Sequence, residues 1–339
     1  MGPRPFFGML EVTRGCNSRC VYCSCWRIRD PEGPDVETCW RTIADMAALG
    51  VRRLTLTGGE PLLRSDLEEI VRAGLEHQLY TTIVTNGLLL NRRRLEALIA
   101  AGLHSLTLSI DSLSDDIYQQ HRGISLKPAQ RALDLALEYH RSQAVSVSLN
   151  CVLTALNYGE VGNLLDFAAA NELGLLVQPC NTDSRTELNY LIPGPDQTAA
   201  CRTALRNLAN RKEAGAPLIN SRQFLEKTEQ YWLDGGRVNA ADCCYGDVTV
   251  TVRANGDVTP CWRLPAVGNV REQHLTDIWA GATFAAVRRQ MHAGDCPGCL
   301  LACSFDWETL HHSEERIERF WAGYNRRNGR GERDQGESL

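Results

Sequence analysis

Short runs of β-branched and apolar residues alternate with longer amphipathic stretches through the first 180 positions. Phe7–Val12, Arg53–Thr57, Thr81–Thr85, Ser105–Ile110, Ser146–Leu153 and Leu175–Gln178 read as six strands. Between them, 36–49, 65–77, 91–101, 126–142 and 158–172 read as helices; Leu133, Ala136 and Leu137, for example, share one face of the fourth. Strand–helix alternation predicts parallel strands joined by right-handed crossovers. Six units are too few to close an eight-fold barrel. The expected fold is therefore α/β, a partial (β/α)6 TIM-like barrel, with its functional groups just after the strands at the C-terminal rim.

The pattern then changes. Residues 196–236 read as a helical bridge, and Val248–Val252 and Val258-Thr259 flank Asn255-Gly256-Asp257 as a hairpin. From Gly323 the chain is rich in Arg, Gly and Glu and reads as a solvated tail. The expected organisation is a barrel over 1–195, the bridge, a small domain over 237–322, and the tail over 323–339.

Composition narrows the function classes. With 43% hydrophobic and 23% charged residues, the 339-residue chain is expected to fold, and its net charge of −5 argues against a general binder of nucleic acid or anionic membranes. No apolar run reaches the ~18 residues of a membrane span. The opening Met-Gly-Pro-Arg-Pro-Phe has neither an apolar signal core nor a Ser or Thr at position 6 for myristoylation, so a cytoplasmic location is expected.

Fourteen cysteines change the picture. A disulfide scaffold would be short and exported, so clustered thiols point to metal or redox chemistry. Cys16, Cys20, Cys23 and Cys25 lie together. Cys39, Cys151, Cys180 and Cys201 are scattered, the first two and Cys201 reading as buried small hydrophobes. Cys243, Cys244, Cys261, Cys296, Cys299 and Cys303 crowd the last third. Polar motifs also recur at the predicted strand ends: Gly58-Gly59-Glu60-Pro61, Asn86-Gly87, Ser109-Ile110-Asp111, Asn150 and Gln178-Pro179-Cys180. Three cysteines spaced C-x3-C-x2-C on one loop suit an iron–sulfur cluster or, with a fourth ligand, zinc.

Over residues 8–180 these motifs resemble the radical S-adenosylmethionine (SAM) superfamily. The resemblance implies that Cys16, Cys20 and Cys23 hold a 4Fe–4S cluster whose open iron chelates the amino and carboxylate groups of SAM. It places Tyr22 beside the adenine, Gly58, Gly59, Glu60 and Pro61 at the SAM amino group, and Ser109, Asp111 and Asn150 near the ribose and methionyl part. Asn86 and Gln178 complete the expected cofactor-binding set. Glycines permit close backbone approach, and a carboxylate makes a charge-assisted bond to an ammonium. The implied reaction is reductive cleavage of SAM to methionine and a 5′-deoxyadenosyl radical, which takes hydrogen from the substrate. A flavodoxin or ferredoxin is the expected reductant.

The second cysteine set resembles the SPASM and twitch extensions of the same superfamily, which hold auxiliary clusters. Six cysteines suffice for one auxiliary 4Fe–4S cluster, with Cys244, Cys261, Cys296 and Cys299 as expected ligands and Cys243 and Cys303 as competitors; a structural zinc is the alternative. Cys180, on the rim, is the expected catalytic residue, a thiol able to return hydrogen to a substrate radical. Arg185, Glu187, Tyr190 and Arg263 are possible substrate contacts, and His311-His312 receives no metal role.

The first strand begins near residue 7, which leaves no room ahead of it for a leader-peptide-binding domain. Small-molecule members of the superfamily with one auxiliary cluster are similar in size. The expected substrate is therefore a sugar, cyclitol or nucleoside intermediate, dehydrogenated, decarboxylated or epimerised as in antibiotic biosynthesis. The alternatives are a SPASM-type maturase of a ribosomal peptide and a non-catalytic iron–sulfur or zinc protein.

Overall fold

The structure is a computed structural model that describes residues 3–28, 33–181, 186–233, 243–296 and 298–301, together with 315, 317, 318, 321 and 322 of a C-terminal helical segment; for 186 and 187 only the backbone is described. Cys303, Arg185, the Glu187 side chain, His311-His312 and the tail lie outside the described residues.

The six expected strands form: β1 (Phe7–Thr13), β2 (Arg53–Gly58), β3 (Tyr80–Thr85), β4 (Ser105–Ser109), β5 (Ser146–Leu153) and β6 (Gly174–Pro179). Each pairs in parallel with the next, in the order β6-β5-β4-β3-β2-β1. The crossovers carry α1 (Val36–Leu49), α2 (Leu67–Glu76), α3 (Arg92–Ala100), α4 (Asp115–Arg122) with α5 (Lys127–Arg141), and α6 (Val161–Ala170). Asp35 starts α1 by accepting the Thr38 N–H at 2.6 Å, and Gly50, at φ 102°, ends it. No strand or helix pattern announced α4.

Alternation along the strands separates two faces. Leu10, Val12, Leu54, Leu56, Ile83, Leu106, Leu108, Val147 and Leu149 face the helices in one continuous core. The opposite face carries Met9, Glu11, Thr55, Thr57, Thr82, Thr107, Ser148, Asn150 and Gln178, aligned by register across neighbouring strands. The Thr107 and Ser148 hydroxyls, 3.0 Å apart, confirm that these side chains share one concave surface. Strands of an all-parallel sheet are usually apolar on both faces. Here the inner face is polar, as a ligand-holding trough requires.

After β6 come two helices, α7 (Thr198–Glu213) and α8 (Arg222–Leu233). After α9 (Tyr245–Val248) the hairpin forms from β7 (Thr249–Val252) and β8 (Asp257–Thr259), with Gly256 at φ 89° in its turn. β9 (Gly268–Asn269), α10 (Leu275–Ala280) and α11 (Ala282–His292) follow. The C-terminal region is not a detached module. β7 pairs in parallel with β1, so a nine-stranded sheet runs unbroken through both parts. Asp45 of α1 caps α10 by accepting the Leu275 N–H at 2.9 Å. At the opposite end from the rim, Ile317 and Trp321 pack on Tyr80, and His104 stacks on Tyr80 at 5.0 Å. Among the described residues, no helix is long and apolar enough to cross a membrane.

Candidate active site and auxiliary cysteine site

The loop after β1 carries the first cysteines and is fixed from two sides. On one side it is bonded to the turn after β2: Gly59 N–H donates to Thr13 O at 2.8 Å and Glu60 N–H to Gly15 O at 2.7 Å. The two backbones are so close that a Cβ on Gly58 would stand 2.2 Å from Thr13 O, and one on Gly59 1.9 Å from Gly15 O. Gly58 also sits at φ 130°, so both positions require glycine.

On the other side, the end of α4 holds the loop. Arg19 N–H donates to Arg122 O at 3.0 Å and Val21 N–H to His121 O at 2.9 Å, while the Ser18 hydroxyl reaches Arg122 O at 3.2 Å. The Trp26 indole N–H donates to Cys20 O at 3.1 Å.

Donors converge on the sulfurs. Arg122 Nη1 lies 3.9 Å from Cys20 Sγ, Ser18 Oγ 3.3 Å from the same atom, and Asn86 Nδ2 3.9 Å from Cys16 Sγ. Burial pushes the Cys16 thiol up to about 11, with further increments from Glu60, Cys20 and Cys23. A bound metal reverses that preference by drawing off the proton. Among the described residues no three Cys, His, Asp or Glu are grouped as ligands of a single ion. Thiolates on a four-iron cluster each bind a separate iron, and hydrogen bonds to cluster sulfurs are the usual outer-shell support. The donor set fits such a cluster.

The other sequence-selected residues divide by the way they point. Glu60 is buried, and its carboxylate accepts the Leu62 N–H at 3.0 Å, the Thr85 hydroxyl at 2.6 Å and the Asn86 N–H at 2.8 Å. Burial raises its pKa against those three bonds. Asp111 is also buried and fully engaged: Oδ2 accepts from Tyr22 at 2.7 Å and pairs with Arg122 Nε at 2.8 Å, and Oδ1 accepts the Val152 N–H at 2.9 Å. Burial alone would raise its pKa, but Arg122 and His121 hold the carboxyl well below the usual range. Asp111 and Tyr22 thus brace the cysteine loop from behind. Ser109 and Asn150 are neighbours on the concave face, and Asn150 Oδ1 is enclosed there with no hydrogen-bond partner among the described residues.

Cys180 is buried with Leu188 and Leu191 against Val21, Tyr22 and Val152, directly behind the cysteine loop. Tyr190 is exposed. Cys39, Cys151 and Cys201 are buried in the core. Sequence reading missed Arg122 and His121, because nothing marked α4 as an element that returns to the rim.

The second cysteine set packs on the concave face of β1. Cys261 is buried with Tyr245, Leu264 and Met291, and Met9, Cys243 and Cys296 close the same cluster. The Arg263 N–H points at Cys261 Sγ, 3.4 Å away. Cys244 is buried at the N-cap of α9. Cys299, also buried, lies on a strand of chain tied to the barrel: the Gln178 amide donates to Leu300 O, and Asn181 exchanges two 3.3 Å bonds with Leu300. Gln178 thus joins the rim to the auxiliary loop. Glu11, on the concave face of β1, accepts the Ala254 N–H of the hairpin at 3.1 Å. Both cysteine sets are therefore built on one strand.

The profile of the radical SAM superfamily matches residues 10–168, and that of an iron–sulfur cluster-binding domain, SPASM, matches 243–304. A PqqA peptide cyclase of Gluconobacter oxydans is 30% identical over 290 residues, covering 82% of this chain and 77% of its own. The chain belongs to the radical SAM superfamily. As a radical SAM enzyme with a SPASM domain, it uses SAM and 4Fe–4S clusters, one of them auxiliary. A second PqqA peptide cyclase, from Ruegeria pomeroyi, is 28% identical over 88% of this chain and 80% of its own, and an AdoMet-dependent heme synthase of Methanosarcina barkeri is 27% identical over 80% and 81%. In fold, the chain is similar to Streptococcus suis SuiB bound to S-adenosylmethionine, with a TM-score of 0.67 and 18% identity over 84% of this chain and 68% of that one.

These relatives correct the expected substrate. A sugar, cyclitol or nucleoside does not fit a radical SAM chain whose similar curated proteins are repeatedly peptide cyclases. The position of the first strand was a poor guide, since it says nothing of what the trough receives.

Proposed function

We propose that this radical SAM enzyme modifies a peptide, forming or oxidising a bond within a ribosomally made precursor. The observation that carries the reading is the polar concave trough bounded by two cysteine sets, in a chain similar to peptide cyclases over most of its length. In this reading Cys16, Cys20 and Cys23 hold the SAM cluster. Cys261 and Cys296, with one of Cys243 and Cys244 and with Cys299, hold the auxiliary one. When bound, the first cluster supplies the electron that cleaves SAM.

The chain's own residues do the rest. The Gly58–Gly59 turn seats the cysteine loop, and Glu60 orders Leu62, Thr85 and Asn86 around it. Ser109 and Asn150 offer polar atoms to the cofactor, and Thr55, Ser148 and the buried Thr82 and Thr107 form the polar floor beneath the substrate. An oxidised product takes back no hydrogen atom, so the hydrogen-donor role of Cys180 belongs to a mass-neutral, epimerising reaction.

The test is anaerobic reconstitution with assay of iron, sulfide and 5′-deoxyadenosine, using SAM, reductant and a precursor peptide encoded beside the gene. Peptide-dependent 5′-deoxyadenosine and a peptide that has lost two hydrogens are expected. A protein that holds zinc without sulfide sinks the radical reading, while turnover of a sugar or nucleoside but no peptide sinks the substrate class. Cys16→Ala, Cys20→Ala and Cys23→Ala together should abolish SAM cleavage yet retain about one four-iron cluster. Full turnover and an unchanged product in Cys180→Ser would remove Cys180 from the chemistry.

A further inference from the structure

Arg122 is a buried cation in direct reach of the cysteine loop, and the activity proposed above assigns it no part. It lies at the last position of α4 with 4% of its surface exposed. Its guanidinium bridges two groups: Nη1 stands 3.9 Å from Cys20 Sγ, and Nε stands 2.8 Å from Asp111 Oδ2. The Tyr118 ring packs beside it, 5.7 Å from the guanidinium carbon. Its own carbonyl takes the Arg19 N–H and the Ser18 hydroxyl, so the same residue holds the loop by its backbone and meets a ligand sulfur by its side chain.

The alternatives at this sulfur are weaker. Ser18 has one proton, and its hydroxyl is also within reach of Arg122 O, so it cannot serve both acceptors. The guanidinium has donors for both of its partners, and arginine keeps its charge. Coulombic effects are large in a site shut off from water. Asp111 pairs with Nε while Nη1 faces the sulfur, and Asp111 takes further bonds from Tyr22 and Val152 that share its negative charge.

We propose that Arg122 is a positioning residue that sets the reduction potential of the SAM cluster, its cation favouring the reduced, more negative state through Cys20. This rests on Cys20 being a cluster ligand. Hydrogen bonding and charge at cluster sulfurs are known levers on potential. The Asp111 carboxylate works in the opposite direction, so the pair is a balanced setting whose two halves shift the potential with opposite signs.

The experiment is an EPR-monitored redox titration without SAM, on protein whose auxiliary cysteines are intact and whose iron and sulfide are counted. Arg122→Gln is expected to lower the reduced-to-oxidised ratio at fixed potential about tenfold, which is 59 mV for one electron. Asp111→Asn, which leaves the cation uncompensated, is expected to move the midpoint the other way. If Arg122→Gln does not load its cluster, Arg122→Lys and the Asp111→Asn/Arg122→Gln pair, which buries no lone charge, take its place. The lysine variant should stay near wild type and the neutral pair fall below it. Unchanged midpoints in cluster-loaded variants overturn the inference while leaving the functional reading intact. A cluster that survives Cys20→Ala overturns the ligand assignment itself.

Discussion

At the scale of single residues, the first site is governed by contacts that admit no substitute. Gly59→Ala would drive a Cβ into Gly15 O, and relief requires the β2 turn to part from the cysteine loop. Overpacking of this kind costs about 1–3 kcal/mol. The larger effect is expected on function: the variant should retain less iron at the first site and lose SAM cleavage, measured as 5′-deoxyadenosine per chain. A Gly59→Ala protein with wild-type turnover would show that the close approach is incidental. These residues were legible in the sequence because glycines and cysteines at fixed spacing each carry one narrow physical meaning. Asp111 was legible as a carboxylate at a strand end but not in its orientation. A carboxylate at a strand end can face the trough or the protein, and here Tyr22, Arg122 and Val152 draw it inward. Arg122 itself was not legible, because its role depends on where a short polar helix returns.

At the scale of elements, strand alternation and helix amphipathicity predicted the six strands and every crossover helix except α4; α1, for one, spans 36–49 as expected. The hairpin was equally clear from Asn255-Gly256-Asp257. What periodicity could not supply was pairing between distant elements. Nothing local says that β7 lies against β1, or that the chain at Leu300 is held by the end of β6. That second contact has a measurable consequence. Gln178→Ala with Asn181→Ala removes the bonds to Leu300, each worth about 1 kcal/mol. The auxiliary site should then lose iron on dialysis faster than it does with both amides intact, read by iron content in the variant lacking Cys16, Cys20 and Cys23. Equal retention with and without the amides would show that the Cys299 segment is fixed by other contacts.

At the scale of the whole molecule, the end of the barrel away from the cysteines holds one group that weakens the fold toward acid. His104 is half-buried against Tyr80 and Trp321, and its Nδ1 accepts the Thr81 N–H at 3.1 Å. Burial lowers its pKa from 6.5 to about 4. Between those values the unfolded chain binds the extra proton and the folded one does not. Stability is therefore fully present above pH 6.5 and falls as pH drops toward 4, by about 3 kcal/mol from this residue. Denaturant melts at pH 7 and pH 4.5 should show a smaller acid loss for His104→Gln than for wild type; equal losses would assign the acid sensitivity to other groups. The substrate class was the least legible property, because the trough's hydroxyls suit many polar molecules and only kinship with peptide cyclases discriminates among them. The continuous sheet has one more consequence, for biosynthesis. β1 emerges first from the ribosome, yet the partner on one of its edges, β7, is translated more than two hundred residues later. Until then β1 presents open backbone donors and acceptors, an invitation to pair with the wrong chain. Truncation before residue 249 should therefore yield aggregates, and nascent chains of that length should depend on chaperones more than the finished protein does.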